Sequence, residues 1–158
     1  MPNIENKPLS KAQHRFIDDI AALFMHWGMP QTEACLYGYL LLSAKPVSLD
    51  HIVDDLRMSK SSASVAARAL ESYRVAKKYR VRGSKRVLYE ASTDFGGRLA
   101  RQSALLGTLG TLISERTPAV ASGAAAARLK ILSEFYRSMS EAMEQQIRLL
   151  EKRLAEAR

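Results

Sequence analysis

Apolar residues recur along most of this chain at helical spacing, and one stretch alternates instead. Phe16, Ile17, Ile20, Leu23, Phe24 and Trp27 fall three and four apart, which predicts an amphipathic helix. Ser10 and Gln13 stand at capping-box spacing ahead of it. Gly28 is placed to end it, since glycine accepts a left-handed backbone without a Cβ penalty. Pro30 suits the first turn of a second helix, expected to run to about Ser43 with Leu36, Tyr37, Leu40 and Leu41 inward. Lys45-Pro46 is a break. Ser48 is the predicted cap of a short third helix, Leu49 to Arg57, whose inward residues are Ile52, Val53 and Leu56. Met58-Ser59 is the next turn, and Ser59 caps a fourth helix.

After Tyr73 the period changes. "VAKKYRV" and "RVLYEAS" alternate apolar and polar residues around "RGSK". That pattern predicts a two-stranded β-hairpin with Gly83 in the turn. Thr93 is the expected cap of a fifth helix carrying Phe95, Leu99, Leu106, Leu109 and Ile113, which Pro118 should end. "AVASGAAAA" reads as a bend or a fraying helix start. From about Ala124 a long last helix is expected. Leu129, Leu132, Tyr136, Met139 and Met143 alternate spacings of three and four, and Ile147, Leu150 and Leu154 continue the stripe. Such a stripe is a coiled-coil seam, and it needs a partner to cover it. Its polar residues mix both signs (Glu134, Arg137, Glu141, Glu144, Arg148), unlike the cationic face of a helix that lies on a membrane.

The fourth helix differs from the rest. On a helical wheel Ala63, Ala66, Ala67 and Leu70 cluster on one side, and Ser61, Ser64, Val65, Arg68 and Ser72 on the other. The inward side is small, so the helix packs close to its neighbours. The outward side is short and polar with one long cation. That suits a helix lying in a DNA major groove, where Arg68 can pair with guanine and Val65 can touch a thymine methyl.

Charge sharpens this reading. The formal net charge is +8. Residues 57–86 hold ten basic side chains and a single acid, Glu71, whereas the remainder holds fourteen basic and fifteen acidic ones. The excess is thus confined to the fourth helix, its approaches and the hairpin, the footprint expected for a polyanion. Short helices followed by a basic hairpin describe a winged helix-turn-helix. The expected DNA contacts are Ser59, Lys60, Ser61, Ser62, Ser64, Val65 and Arg68 on the helix, Arg74 after it, and Lys77, Lys78, Arg80, Arg82, Gly83, Ser84, Lys85 and Arg86 on the wing. The competing class is a winged-helix module that binds a protein or RNA partner, since fold alone does not assign function. The charge on the wing favours DNA.

The stretch from Gly28 to Ser92 resembles the MarR superfamily of winged-helix regulators, and within it the GbsR-like branch. The resemblance is carried by Gly28-Met29-Pro30, Tyr37-Gly38, Leu49 within "PVSLDHIVDDL", Ser59-Lys60 and the "RGSKRVLYE" wing. It implies a homodimer paired through the first, fifth and sixth helices, a pseudo-palindromic operator and a small-molecule effector. Residues 1–28 and 93–158 would then be dimerisation regions around a DNA-binding region at 29–92. Three positions depart from the family pattern. Cys35 replaces an expected arginine, Ser61 a frequent glycine, and Arg74 a glycine that often closes the recognition helix. The last implies a different helix ending or an added phosphate contact.

Other chemistry is thinly represented. Phe24, Trp27, Tyr37 and Tyr39 are candidates for a cation–π pocket taking a quaternary amine, against the commoner reading as core packing. With one cysteine no intrachain disulfide is possible, and Cys35 lies in an apolar stretch without an adjacent cation, so a buried thiol is expected over a redox sensor. The three histidines lack metal-ligand spacing with cysteine. No phosphate-binding or nucleophile motif is present, so neither an enzyme nor a cofactor is expected. No apolar run approaches the roughly 18 residues of a membrane span, and Met1 to Ser10 has no apolar core of a signal peptide. A cytoplasmic, mainly α-helical, homodimeric regulator of transcription, expected to be a repressor, is the reading these features support.

Overall fold

The computed structural model describes residues 8–156. The part of the Met1–Ser10 reading that falls on residues 1–7, and residues 157–158, over which the last helix is expected to run, lie outside them. The chain divides between Thr93 and Asp94 into two compact units.

The first unit carries α1 (Lys11–His26), α2 (Gln31–Leu42), β1 (Val47–Ser48), α3 (Leu49–Leu56), α4 (Lys60–Ser72), β2 (Ala76–Arg80) and β3 (Val87–Ala91). The capping box of α1 forms as the spacing predicts: the Gln13 amide donates to Ser10 Oγ at 3.2 Å, and the Ser10 amide to Gln13 Oε1 at 2.8 Å. Gly28 then takes φ +91°. Ser48 and Ser59 cap α3 and α4. Leu36, Leu40, Ile52, Leu70, Tyr37, Tyr39 and Tyr89 form the centre of a core closed by the alanines of α4. α1 crosses α2 at Gly38, where a Cβ would stand 3.2 Å from the Ile17 Cα. A side chain there would push the two backbones apart by a few tenths of an ångström.

The sheet has three strands in the order β1-β3-β2, all antiparallel. The hairpin was expected and β1 was not. Val47 pairs with Tyr89 and Ser48 with Leu88, but two residues are too few to show an alternating pattern. Leu41 also departs from expectation. It is expected inward and is 39% exposed, lying in the last turn of α2, which ends at Leu42.

The second unit is a helical hairpin, α5 (Phe95–Val120) and α6 (Gly123–Glu156). Asp94, not Thr93, caps α5: its carboxylate accepts from the Gly97 amide at 3.2 Å. Pro118 does not end the helix but sits in its last turn, where a missing N–H removes only one bond. The two helices meet through small residues. Ser103 Oγ donates to the Ser140 carbonyl at 2.9 Å, Ser140 Oγ returns to the Ser103 carbonyl at 2.8 Å, and Ser133 Oγ donates to the Gly110 carbonyl at 2.7 Å. A Cβ on Gly110 would stand 2.9 Å from the Ser133 carbonyl oxygen.

The expected single seam on α6 is therefore two stripes. Leu129, Tyr136, Met143 and Ile147 share the face that holds Ser133 and Ser140, and are partly or fully buried. Leu132, Met139, Leu150 and Leu154 are exposed, together with Ile131, Phe135 and Leu149. The heptad spacing merged them because adjacent faces of a helix alternate in the same count of three and four.

Candidate nucleic-acid interface

α4 is built to lie flat on the core and to offer the rest of its circumference. Ala63, Ala66, Ala67 and Leu70 are at most 2% exposed, so the small inward side assigned from the helical wheel is the buried one. Ser61, Val65, Arg68 and Ser72 are exposed and Ser64 is half-buried. Val65, an apolar side chain, is 55% exposed in the middle of this face.

The start of α4 is a hydroxyl cluster. Ser59 Oγ accepts from the Ser62 amide at 3.1 Å and is hydrogen-bonded to Ser61 Oγ at 3.0 Å and Ser62 Oγ at 2.7 Å. These serines are among the expected DNA contacts. The structure ties them to one another, each with hydrogen-bonding capacity left. Ser72 is turned back, donating to the Ala69 carbonyl at 2.7 Å.

Lys60, at the first position of α4, forms an ion pair with Asp50 at 2.8 Å. The pair is exposed, where such contacts contribute little to folding. Its weight is on charge placement. The hydrogen bond from Lys60 and its charge hold the Asp50 carboxyl below the ordinary aspartate range, and Arg86 and His51 add to this. Asp50 is thus ionised throughout the neutral range, and Lys60, with three N–H donors, keeps two beyond this contact.

The ends of α3 and α4 are unusual. Arg57 and Arg74 both adopt a left-handed backbone, with φ of 52° and 60°. The Arg74 amide bonds the Glu71 carbonyl, and the Val75 amide that of Leu70, at 3.0 Å each. The absent glycine at residue 74 had suggested a different helix ending. The ending is instead the one a glycine would make, with an arginine carrying its steric cost of about 1–2 kcal/mol.

The wing carries its cations along β2 and around its turn. Lys77, Lys78 and Arg80 are exposed along β2, and Arg82, Lys85 and Arg86 around the turn. The turn closes with the Val81 amide on the Arg86 carbonyl and the Ser84 amide on the Val81 carbonyl, both at 3.1 Å. Gly83 has φ +78°, and Ser84 Oγ accepts from the Arg86 amide at 3.0 Å. Gly83 and Ser84 therefore shape the tip. Tyr79 donates its hydroxyl to Glu90 across the strands, and this bond raises the tyrosine above its ordinary range.

Among the aromatic candidates, Phe24 meets Trp27 edge-on at 5.5 Å and Tyr37 at 5.0 Å. Tyr39 does not join them. Its hydroxyl donates to Asp55 at 2.5 Å, and burial with that bond pushes its ionisation far up. Cys35 lines a cleft of about 410 Å³ between α1, α2 and the α3–α4 turn. Burial, then the charge of Asp18, push its thiol up, which opposes thiolate formation. Among the described residues no cluster of His, Cys, Asp and Glu could hold a metal ion, and no helix is long and apolar enough to cross a membrane.

The residue that sequence reasoning missed is Glu33, in the first turn of α2. Pro30, Thr32 and Glu33 face Ser61, Ser62, Val65 and Ala66 across a cleft of about 310 Å³. Glu33 Oε2 is shielded from water and has no hydrogen-bond partner among the described residues. A glutamate at this point reads in sequence only as a favourable charge beside a helix N-terminus.

No family model matches the chain. Three curated proteins of Bacillus subtilis (strain 168) are similar to it. YvaV, described as an HTH-type transcriptional regulator, is 30% identical over 95 residues, 58% of this chain and 54% of that one. The HTH-type transcriptional repressor GbsR is 30% identical over 93 residues, 59% of this chain and 51% of that one. The HTH-type transcriptional repressor OpcR is 26% identical over 87 residues, 55% of this chain and 47% of that one. The chain spans about half the length of these relatives. A crystal structure of a transcriptional regulator matches with a TM-score of 0.76 at 16% identity, covering 89% of this chain and 99% of that one. That is likeness of fold, and the fold is the winged helix-turn-helix expected from the sequence. The resemblance to winged-helix regulators, GbsR-like ones included, is thus found in curated sequences as well.

Proposed function

We propose that this chain is a sequence-specific, DNA-binding regulator of transcription that acts as a homodimer in the cytoplasm and represses by competing with polymerase. The observation that carries the reading is α4 with its wing. Ala63, Ala66, Ala67 and Leu70 of α4 are buried on one side, Ser61, Val65 and Arg68 stand exposed on the other, and six exposed cations follow on the hairpin. α4 enters a major groove, and the wing lies over the adjacent minor groove, where narrow geometry attracts arginine. Lys60, Lys77, Lys78 and Lys85 neutralise phosphates and supply affinity. Ser61, Ser64, Val65 and Arg68 supply specificity. The exposed apolar stripes of α5 and α6 support a two-fold dimer, which sets two recognition helices about 34 Å apart on a pseudo-palindrome. A small-molecule effector acts by changing that spacing.

The test is fluorescence anisotropy with the DNA upstream of the chain's own gene and a scrambled control, titrated with salt. Binding confined to the upstream DNA is expected, falling by roughly 10³–10⁵ between 50 and 200 mM salt if about 6–10 phosphates are neutralised. Arg68→Ala should relax sequence preference. An equal loss on specific and random DNA would contradict a base-reading role for Arg68.

A further inference from the structure

We propose that Asp50 is a positioning residue: it holds Lys60 so that this lysine favours the operator over other DNA. The proposal rests on the DNA-reading role of α4 given above. Asp50 lies in the first turn of α3, and its Oδ1 stands 2.8 Å from Nζ of Lys60, the first residue of α4. Charge from three elements meets at this carboxylate. Lys60 comes from α4, Arg86 from the turn of the wing and His51 from α3 itself, and all three act on it.

Of the four lysines proposed to meet phosphates, Lys60 alone forms an ion pair among the described residues. The pair changes what the lysine offers, and differently at long and short range. From a distance the two opposite charges nearly cancel, so Lys60 adds little to the sequence-independent attraction that draws any DNA. Close by, the ammonium still has two of its three N–H donors, carried on a head that Asp50 fixes. A free lysine must give up the freedom of its four-carbon stem to make a contact, and a held one has given it up already. That gain is realised only where a phosphate oxygen falls within reach of the held ammonium. The base contacts of α4 set this register on the operator. On random DNA no register is set, and the Asp50 carboxylate opposes the phosphates it faces. Asp50 therefore weakens binding to any DNA more than binding to the operator.

The experiment uses the full chain, with an operator selected by the wild type from a random-sequence duplex library and a scrambled duplex as control. Fluorescence anisotropy is titrated with salt for the wild type, Asp50→Asn, Asp50→Glu, Lys60→Ala and the Asp50→Asn/Lys60→Ala pair. Asp50→Asn should bind the scrambled duplex more tightly and with steeper salt dependence, because the charge of Lys60 is uncovered. It should bind the operator no more tightly than the wild type does. Discrimination should fall by about threefold in each subunit, the size an exposed charge coupling reaches, and so by about tenfold for a dimer. Asp50→Glu, which keeps the carboxylate, should retain part of the discrimination. Lys60→Ala should lose a similar share, and adding Asp50→Asn to it should change discrimination no further, since no ammonium is left to hold. Both residues are exposed, and thermal melts should show that the variants fold. Should Asp50→Asn fail to fold, Lys60→Ala and Asp50→Glu still test the proposal. Equal tightening on both duplexes, with or without Lys60, would reduce Asp50 to repulsion of phosphate and overturn the proposal. A lowered melting temperature with equal losses on both duplexes would assign Asp50 to the start of α3 and overturn it too. A wild type that selects no sequence would overturn the DNA-reading role itself, and this proposal with it.

Discussion

Residues 8–93 and residues 94–156 place their large apolar side chains in opposite ways. In the first unit Leu36, Leu40, Ile52 and Leu70 are at most 1% exposed and close one core. In the second, the contact between α5 and α6 is made of Ser103, Gly107, Gly110, Ser133 and Ser140, with partly buried apolar residues beside them. Leu105, Ile131, Phe135 and Leu154 are each more than half exposed. The first unit closes a core of large side chains and leaves Trp27, Leu23, Met25 and Phe16 of α1 exposed. The second binds its helices through hydroxyl–carbonyl bonds and keeps its hydrophobic area for something else, as an exposed patch of this size usually indicates.

The most severe test of that contrast puts charge on the exposed stripe. Leu132→Asp with Met139→Asp should leave α5–α6 packing intact, since neither residue faces the small seam. It should convert the proposed dimer to monomers in sedimentation and abolish operator binding at concentrations where the wild type is saturated. A dimer of unchanged strength would place the interface elsewhere and break the comparison. By contrast, Leu36→Ala removes side-chain volume from a closed core and should lower the unfolding free energy by about 2–5 kcal/mol. Denaturant melts read this directly. A cost near zero would show that the first unit is less tightly packed than its burial indicates.

The contrast also decides how much could be read beforehand. Capping residues and alternation are local signals, so α1 through α4, the serine caps of α1, α3 and α4, and the hairpin were all visible in the sequence. The inward and outward sides of α4 were visible too, because a four-residue cluster of alanine and leucine opposite serine and arginine leaves one orientation. The α5–α6 seam was not. Hydrophobic periodicity counts large side chains, and here they mark both the faces next to the seam and the exposed ones, while the seam itself is written in serine and glycine. β1 was hidden by its length. Glu33 was hidden for another reason: an unpartnered oxygen is a property of what surrounds it, and its surroundings come from α4, almost thirty residues away in the chain.

A finer test probes the seam where a glycine and a serine meet. A Cβ on Gly107 would stand 2.9 Å from Ser140 Oγ but 3.5 Å from Ser140 Cβ. Replacing glycine by alanine inside a helix favours folding by about 1 kcal/mol when space allows. In the wild-type background the hydroxyl takes that space, and it cannot rotate away without giving up its bond to the Ser103 carbonyl. Gly107→Ala alone should therefore gain nothing or destabilise. Ser140→Ala alone should cost about 1 kcal/mol, the net worth of one such hydrogen bond. In the Ser140→Ala background the obstruction is gone, and Gly107→Ala should become stabilising. A double-mutant cycle in denaturant should then show a favourable coupling of about 1 kcal/mol. Additivity would mean that the two helices do not approach as closely as the serine–glycine pairing requires. The second unit would then lack one of the close contacts that set it apart from the first.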